Sequence, residues 1–214
     1  MSRLQGIQCL ALVMGVIALQ ANAHSKELQE KTAKEAARSA LKVGDHAIDG
    51  ELVDADGNKI LLSDLWKKNP LVVIWYRGGW CPICMRHLSG IQEAMPEIEK
   101  AGAKIVAIAP EKPEMTKQTA ENNGFDFLLL SDQGNELGEK YGVVFKLDPD
   151  TATRYQQMFD LAKYNGDSSM RLPVPVAYVI NQEGVITFAY VEPDYKQRVK
   201  PEDIINALKY VPNE

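Results

Sequence analysis

Two cysteines three positions apart, Cys81 and Cys84, are the residues whose type and spacing most clearly indicate chemistry. Three residues correspond to about one short turn, so the two sulfur atoms can form a disulfide with little backbone movement. A thiolate that attacks a disulfide passes through a mixed disulfide, which a second nearby thiol resolves. The spacing therefore predicts a pair that alternates between dithiol and disulfide.

The residues around the pair predict a junction between a buried strand and a helix. An unbroken apolar run over 71–76 is typical of a central strand that is covered on both faces. Pro82 suits the first helical position, because the amide proton that proline lacks would have no partner there. Cys81 is then expected at the helix N-cap, beside free N–H groups and the positive end of the helix dipole, which favour the thiolate.

The same helix predicts different roles for the two sulfur atoms. Cys84 continues the apolar stripe of the predicted helix over 82–100, so we expect it to be the more buried and Cys81 the more exposed. For attack on a bulky protein disulfide, this favours Cys81 as nucleophile and Cys84 as resolver. Arg77 is expected to add a positive charge near the pair, and Trp80 to shield the thiolate from water.

A metal site is the alternative that these residues leave open. Cys81, Cys84 and His87 recur at every third position, so copper or zinc binding is conceivable, and with it a non-catalytic metal chaperone. A structural zinc site would need two more ligands, and the sequence contains no second cysteine pair. The redox interpretation is favoured, and it requires no cofactor.

Composition narrows the class of partner. The chain has 214 residues, with 24 Lys and Arg against 29 Asp and Glu, which gives a formal net charge of −5. This mildly acidic balance, without a basic cluster, argues against a nucleic-acid partner. No apolar run reaches the roughly 18 residues of an ordinary membrane span. The length suits one domain with a sizeable core.

The first 23 residues are expected to be a cleaved secretory signal peptide. Arg3 precedes an apolar stretch over 7–19, and Ala21-x-Ala23 has the small residues of a cleavage site before His24. The mature protein is therefore predicted to be periplasmic or secreted, without stable membrane insertion. We expect residues 24–42 to form a helical lead-in and residues 43–214 to form a single domain.

Strands and helices alternate along that domain and end in a hairpin, which predicts an α/β fold with a mixed, largely parallel central sheet flanked by helices. The predicted strands lie at 52–53, 60–62, 71–76, 104–109, 127–130, 176–180 and 185–190. The predicted helices lie at 63–66, where Ser63 would be the cap, and at 82–100, 115–122, 135–141, 151–164 and 201–208.

Several stretches together resemble one known family. They are Val43-Gly44-Asp45, 52–65, Trp75-Tyr76-Arg77-Gly78-Gly79-Trp80-Cys81-Pro82-Ile83-Cys84, 105–110, 130–132 and 172–186. With them the chain resembles the alkyl hydroperoxide reductase/thiol-specific antioxidant (AhpC/TSA) family, the peroxiredoxin-like branch of the thioredoxin fold, over roughly residues 43–210. The resemblance implies a thioredoxin-like fold, a hydroperoxide or protein-disulfide substrate, and an external thioredoxin-like reductant.

The family pattern also offers a second assignment of the cysteines. Typical members carry Pro-x-x-x-Thr-x-x-Cys, whose last residue attacks the peroxide, and an arginine near the late strand. Aligned in this way, Cys84 attacks and Cys81 resolves, so both orders of attack stay open. Arg77 stands in place of the proline and Cys81 in place of the threonine. Pro175 stands where the arginine is expected, and Arg171 is the candidate to replace that arginine.

Pro175 has a further implied role. In thioredoxin-like folds, a cis-proline before a late strand lies against the active-site cysteines and holds an incoming peptide. Pro175 directly precedes the predicted strand at 176–180, so the resemblance implies a cis peptide bond here. Together with Arg77 and Trp80, Pro175 is expected to contact the substrate.

Overall fold

The structure is a computed structural model that describes residues 31–211. The predicted signal peptide over 1–23 and residues 24–30 of the predicted lead-in lie outside these residues. The rest of the lead-in contains a helix, α1 (Ala33–Ser39), which begins with a capping box between Thr32 and Glu35. No described helix is long and apolar enough to cross a membrane.

The described chain forms nine strands and seven further helices. The strands are β1 (Glu51–Asp54), β2 (Lys59–Leu61), β3 (Leu71–Trp75), β4 (Lys104–Ala109), β5 (Leu128–Ser131), β6 (Val144–Lys146), β7 (Arg171–Pro173), β8 (Val176–Ile180) and β9 (Ile186–Val191). The helices are α2 (Leu62–Trp66), α3 (Pro82–Lys100), α4 (Pro113–Asn123), α5 (Glu136–Lys140), α6 (Pro149–Phe159), α7 (Leu161–Asn165) and α8 (Pro201–Leu208).

Seven strands form one mixed sheet in the order β2-β1-β5-β4-β3-β8-β9. The predicted mixed α/β sheet is confirmed, but the expectation that it is largely parallel is wrong. Only β3–β4 and β4–β5 pair in parallel, and the other four pairings are antiparallel. The reason is that hairpins form both edges of the sheet, and the second hairpin places β8 antiparallel to β3.

Strand β3 lies between two hydrophobic clusters, and this fixes the start of the loop 76–80, which leads from the strand to Cys81. Val72 and Ile74 face the cluster that contains α3 and α8, whereas Val73 and Trp75 face the cluster that contains α1, α2 and α5. All five residues of the strand are buried, as expected for a strand that is covered on both faces. The loop 76–80 therefore starts from a rigid part of the core.

Local chemistry explains where the other elements differ from prediction. Ser63 lies inside α2 rather than at its cap, and its N–H donates to Asp49 Oδ1 at 2.9 Å. The predicted helix over 151–164 is two helices, because Asp160 between them has a left-handed backbone with φ of 51°. The small sheet of β6 and β7 was not predicted.

Candidate active site

Cys81 is the N-cap residue of α3, as predicted. Its backbone is extended, Pro82 follows at the start of the helix, and its Sγ accepts a hydrogen bond from the Cys84 N–H at 3.3 Å. The two sulfur atoms are 2.6 Å apart, and the two cysteines are not joined in a disulfide. The pair is therefore close enough to exchange a proton or to form a disulfide within one helical turn.

Both cysteines are buried, Cys84 slightly more completely than Cys81, which is the expected order, although the near-complete burial of Cys81 was not expected. Cys81 is 2% exposed and Cys84 is 0% exposed. A cluster of aromatic rings beside Cys81 explains why this cysteine is buried. The Trp80 ring, next to Cys81, packs against Tyr155 and Phe159 of α6, with centroid distances of 5.5 and 4.9 Å. Sequence reasoning could not anticipate this cover, because α6 lies some 70 residues further along the chain.

Arg198 is the functional residue that sequence reasoning missed. It lies between β9 and α8, and its Nη2 is 3.4 Å from Cys84 Sγ. Nη1 donates to the carbonyl oxygens of Tyr195 and Gln197. His87 Nε2 donates to the Val199 carbonyl at 3.1 Å and so ties this segment to α3. The hydrogen bonds of Nη1 and the contact between His87 and Val199 together hold the Arg198 guanidinium against the Cys84 sulfur.

The charges and hydrogen bonds assign the thiolate to Cys84. Burial opposes its ionisation, but a hydrogen bond from the Cys81 thiol and the positive charge of Arg198 outweigh this, and they lower the pKa of Cys84 to about 6. The hydrogen bond that Cys81 donates, its burial and the negative charge of Cys84 raise the pKa of Cys81 well above its usual value. The structure thus favours the family assignment over the one drawn from the helix dipole.

Arg171 does not supply the missing guanidinium. It lies in β7 and forms an ion pair with Glu139 of α5. The expectation that it replaces the family's late arginine is therefore wrong, and Arg198 stands beside the sulfur instead. The signal for Arg198 in the sequence is weak, because it is a single cation in an irregular, polar segment.

Pro175 is in place but is not cis. No cis peptide bond occurs in the described residues, so the implied cis-proline is wrong. Bonds before proline favour trans by about 0.5–1 kcal/mol, and nothing here overcomes that preference. The Pro175 carbonyl accepts a hydrogen bond from the Glu192 N–H at 3.1 Å and joins the start of β8 to the end of β9. A direct role of Pro175 in substrate binding stays a prediction.

Arg77 is buried near the pair and is 3% exposed. Its guanidinium carbon lies 5.1 Å from the centroid of the Trp80 ring, 4.9 Å from that of Tyr155 and 4.5 Å from that of Tyr195. Such positions over aromatic faces attract a cation. Contact of Arg77 and Trp80 with a substrate stays a prediction.

A buried carboxyl, also missed from the sequence, holds the loop before Cys81. Glu111 accepts hydrogen bonds from the Tyr76 hydroxyl at 2.7 Å, the Gly79 N–H at 2.9 Å and the Thr119 hydroxyl at 3.2 Å. Burial raises the pKa of Glu111. A side chain at Gly79 would place its Cβ 2.0 Å from Thr119 Oγ1, so only glycine fits here. The hydrogen bonds of Glu111 and the close contact between Gly79 and Thr119 therefore fix the loop that precedes Cys81.

The metal-binding alternative finds no support in the described part of the chain. No group of three or more His, Cys, Asp or Glu side chains there could hold a metal ion. His87 was the proposed third ligand, but its ring is engaged with the Val199 carbonyl. Burial and the charge of Arg198 lower its pKa to about 4, so it is neutral at ordinary pH.

Comparisons with known proteins agree with this geometry. The model of the AhpC/TSA family matches residues 43–189. Peroxiredoxin Bcp of Escherichia coli K12 is 34% identical over 103 residues, which are 48% of this chain and 65% of that protein. Thiol-disulfide oxidoreductase ResA of Halalkalibacterium halodurans is 29% identical over 107 residues, which are 50% of this chain and 60% of that protein. The chain therefore spans less than two thirds of the length of these relatives.

Solved structures confirm the thioredoxin-like fold. Peroxidoxin BcpB of Mycobacterium tuberculosis superposes with a TM-score of 0.64 at 20% identity, over 81% of this chain and 99% of that one. Peroxiredoxin Q of Xanthomonas campestris superposes with a TM-score of 0.60 at 21% identity, over 80% and 97% of the two chains. At these identities the likeness concerns the fold alone.

Proposed function

The chain belongs to the AhpC/TSA family, and we propose that it is a thiol peroxidase that reduces a small hydroperoxide at Cys84. One observation carries the proposal. The buried Cys84 sulfur has a guanidinium, that of Arg198, at 3.4 Å and a second thiol, that of Cys81, at 2.6 Å. A stabilised thiolate, a cation and a resolving thiol are the parts that this chemistry needs.

In the first step, the Cys84 thiolate attacks the nearer oxygen of the hydroperoxide. The S–O bond forms and the O–O bond breaks, so the sulfur is oxidised to a sulfenic acid. The second oxygen leaves as an alkoxide and takes a proton to become an alcohol. Arg198 contacts the thiolate sulfur, and from there its guanidinium would also stabilise the charge that develops on the oxygens. Cys81, in place of the family's threonine, offers an S–H donor.

In the second step, Cys81 attacks the sulfenic sulfur of Cys84. The S–S bond forms, the S–O bond breaks and water is released, which leaves a disulfide within the first turn of α3. Reduction requires two external thiols, which are themselves oxidised to a disulfide. We propose a thioredoxin-like protein as this reductant.

Reduction of protein disulfides is the second candidate, and the relative named ResA supports it. The burial of the pair argues for a small substrate, since a protein disulfide must reach a sulfur atom directly. Cys81 is 2% exposed and Cys84 is 0% exposed, so neither sulfur is open to direct contact with a partner protein. A hydroperoxide as small as hydrogen peroxide needs a much smaller opening than a protein disulfide does to reach the same sulfur.

The rate of oxidation by hydrogen peroxide tests the proposal. Mixing reduced protein with peroxide in a stopped-flow instrument, with tryptophan fluorescence as the signal, should give a rate constant at least about 100-fold above that of a free thiolate. The rate should be level above pH 7 and fall about tenfold per pH unit well below pH 6, because protonation of Cys84, whose pKa is about 6, removes the nucleophile. A rate equal to that of a free thiolate, with fast exchange on a protein disulfide, would favour the second candidate.

We also propose that the protein is exported and cleaved after Ala23. The proposal is supported by the Ala21-x-Ala23 site, and by the fact that cleavage would leave only Cys81 and Cys84 as cysteines. Expression of the full chain followed by cell fractionation should give a periplasmic or secreted form whose sequence begins at His24. Ala23→Arg should leave the precursor uncut, since the site needs a small residue. An intact chain in the cytoplasm would contradict export.

A further inference from the structure

Within the described residues, Arg77 is a buried cation without an acidic partner. The residue is 3% exposed, and its Nε has no hydrogen-bond partner in that part of the chain. Among residues 31–211, its side chain makes no ion pair with a carboxylate. Its neighbours are three aromatic faces, which compensate a desolvated charge only in part. A buried guanidinium of this kind can stabilise a negative charge that develops near it.

Cys81 is the group on which that charge can appear. Arg77 lies four residues before it and packs on the ring of Trp80, its immediate neighbour. The charge of Arg77 favours the Cys81 thiolate, as does the hydrogen bond that Cys81 Sγ accepts from the Cys84 N–H. Cys81 nevertheless stays a thiol in the reduced protein, because it donates a hydrogen bond to the Cys84 thiolate and is repelled by its charge.

The hydrogen bond to Cys84 and the repulsion by its charge keep Cys81 protonated only while Cys84 carries a negative charge. Oxidation of Cys84 to a neutral sulfenic acid removes the repulsion and the strong hydrogen-bond acceptor together. The influences that remain on Cys81 are its burial, the backbone N–H at the helix N-terminus and the charge of Arg77. The resolving thiol is thus released for ionisation by the oxidation of its neighbour.

We propose that Arg77 stabilises the Cys81 thiolate after Cys84 has been oxidised, so that each sulfur atom has its own guanidinium. Arg198 then serves the attack on the peroxide, and Arg77 serves the resolution step. In that step the Cys81 proton leaves to solvent, the thiolate attacks the Cys84 sulfur, the S–S bond forms, and the S–O bond breaks. Hydroxide leaves and takes a proton to become water. The role in resolution rests on the proposed peroxidase function.

A variant that lacks the Cys84 thiolate isolates the effect of Arg77 on Cys81. In Cys84→Ser a neutral hydroxyl replaces the charged sulfur, and the rate of Cys81 alkylation by iodoacetamide is measured against pH. Adding Arg77→Met should raise the midpoint by at least about one pH unit, because a positive charge that favours the Cys81 thiolate is lost. Methionine packs well among aromatic rings, and replacing a buried charge by an apolar group is often tolerated.

Three further variants sharpen the test. Arg77→Gln carries the same expectation as Arg77→Met and serves if the methionine variant fails to fold. Arg77→Lys retains the charge and should restore most of the low midpoint. Arg154→Gln removes an exposed arginine from α6 and should leave the midpoint unchanged. An alkylation midpoint that does not move when Arg77 loses its charge would overturn the proposal.

The resolution step itself is followed in protein that retains both cysteines. After one equivalent of hydrogen peroxide, Arg77→Met should lower the rate of disulfide formation, relative to the rate of Cys84 oxidation in the same variant, by at least about tenfold. The sulfenic acid should therefore accumulate and be trapped by dimedone. Disulfide formation at the wild-type rate would contradict this role. If the wild type reacts slowly with peroxide while the alkylation midpoint still moves, the peroxidase function fails, and the effect of Arg77 on Cys81 stands.

Discussion

Replacing Cys84 with serine should abolish the reaction with hydrogen peroxide, with a fall of more than about 1,000-fold in the rate of oxidation. The stabilised thiolate belongs to Cys84, since Arg198 contacts its sulfur and the Cys81 thiol donates to it. Cys81→Ser should still be oxidised, more slowly by up to about tenfold because one hydrogen bond to the thiolate weakens. It should then stop after one turnover as a sulfenic acid, since no resolving thiol remains.

Stopped-flow fluorescence for the rate, and mass spectrometry with dimedone trapping for the product, distinguish the two variants. Each is the control of the other, because both replace one sulfur by oxygen in the first turn of α3. The chain that begins at His24 should be used, so that Cys9 cannot contribute a third thiol. Rapid oxidation of Cys84→Ser together with an inert Cys81→Ser would restore the assignment drawn from the helix dipole.

The position of the pair could be predicted from the sequence because it is set locally. The apolar run of β3, the proline at the start of α3 and the apolar stripe that follows all lie within some 30 residues, and they predicted Cys81 at the N-cap and a helix over 82–100. The limits of β4 and α8 were predicted equally well, because β4 is an apolar run and α8 begins with a proline in its first turn.

The roles of the two cysteines could not be predicted locally, because they depend on a distant residue. Arg198 is 114 positions from Cys84, and the β8–β9 hairpin and the segment before α8 bring it to the sulfur. Helix-dipole reasoning considered Cys81 alone, whereas the guanidinium acts on Cys84 and the pair shares one proton. The near-complete burial of Cys81 was not predicted for a similar reason, since the aromatic cover comes from α6.

The proportion of parallel strands in the sheet also could not be predicted locally, because it depends on which distant strands lie side by side. Alternation of strands and helices predicted a mixed α/β sheet, but it does not tell which strand lies beside β3. The final hairpin occupies that place, and β8 pairs antiparallel along the whole of β3. The proline before β8 was judged from its place in the sequence, which carries no information about the isomer of its peptide bond.

Replacing Arg198 with methionine should slow the oxidation of Cys84 by about 100- to 1,000-fold, the effect expected when a preorganised donor to developing negative charge is lost. The pH profile should also move upward from about 6, because removal of a positive charge disfavours the thiolate of a buried cysteine. Arg198→Lys should recover only part of the rate, since an ammonium group lacks the planar fork that reaches the sulfur and backbone carbonyls together.

The kinetic signature separates Arg198 from Arg77. Without Arg198 the first oxidation becomes the slow step, so the sulfenic acid never accumulates, whereas without Arg77 the resolution becomes the slow step, so the sulfenic acid persists. Arg86→Gln is the matched control, because it removes an exposed arginine from α3 two residues after Cys84 and should change neither rate nor profile. A wild-type rate in Arg198→Met would mean that the guanidinium only packs against Cys84. The negative charge on the peroxide oxygens would then need another donor, and the Cys81 thiol is the group within reach.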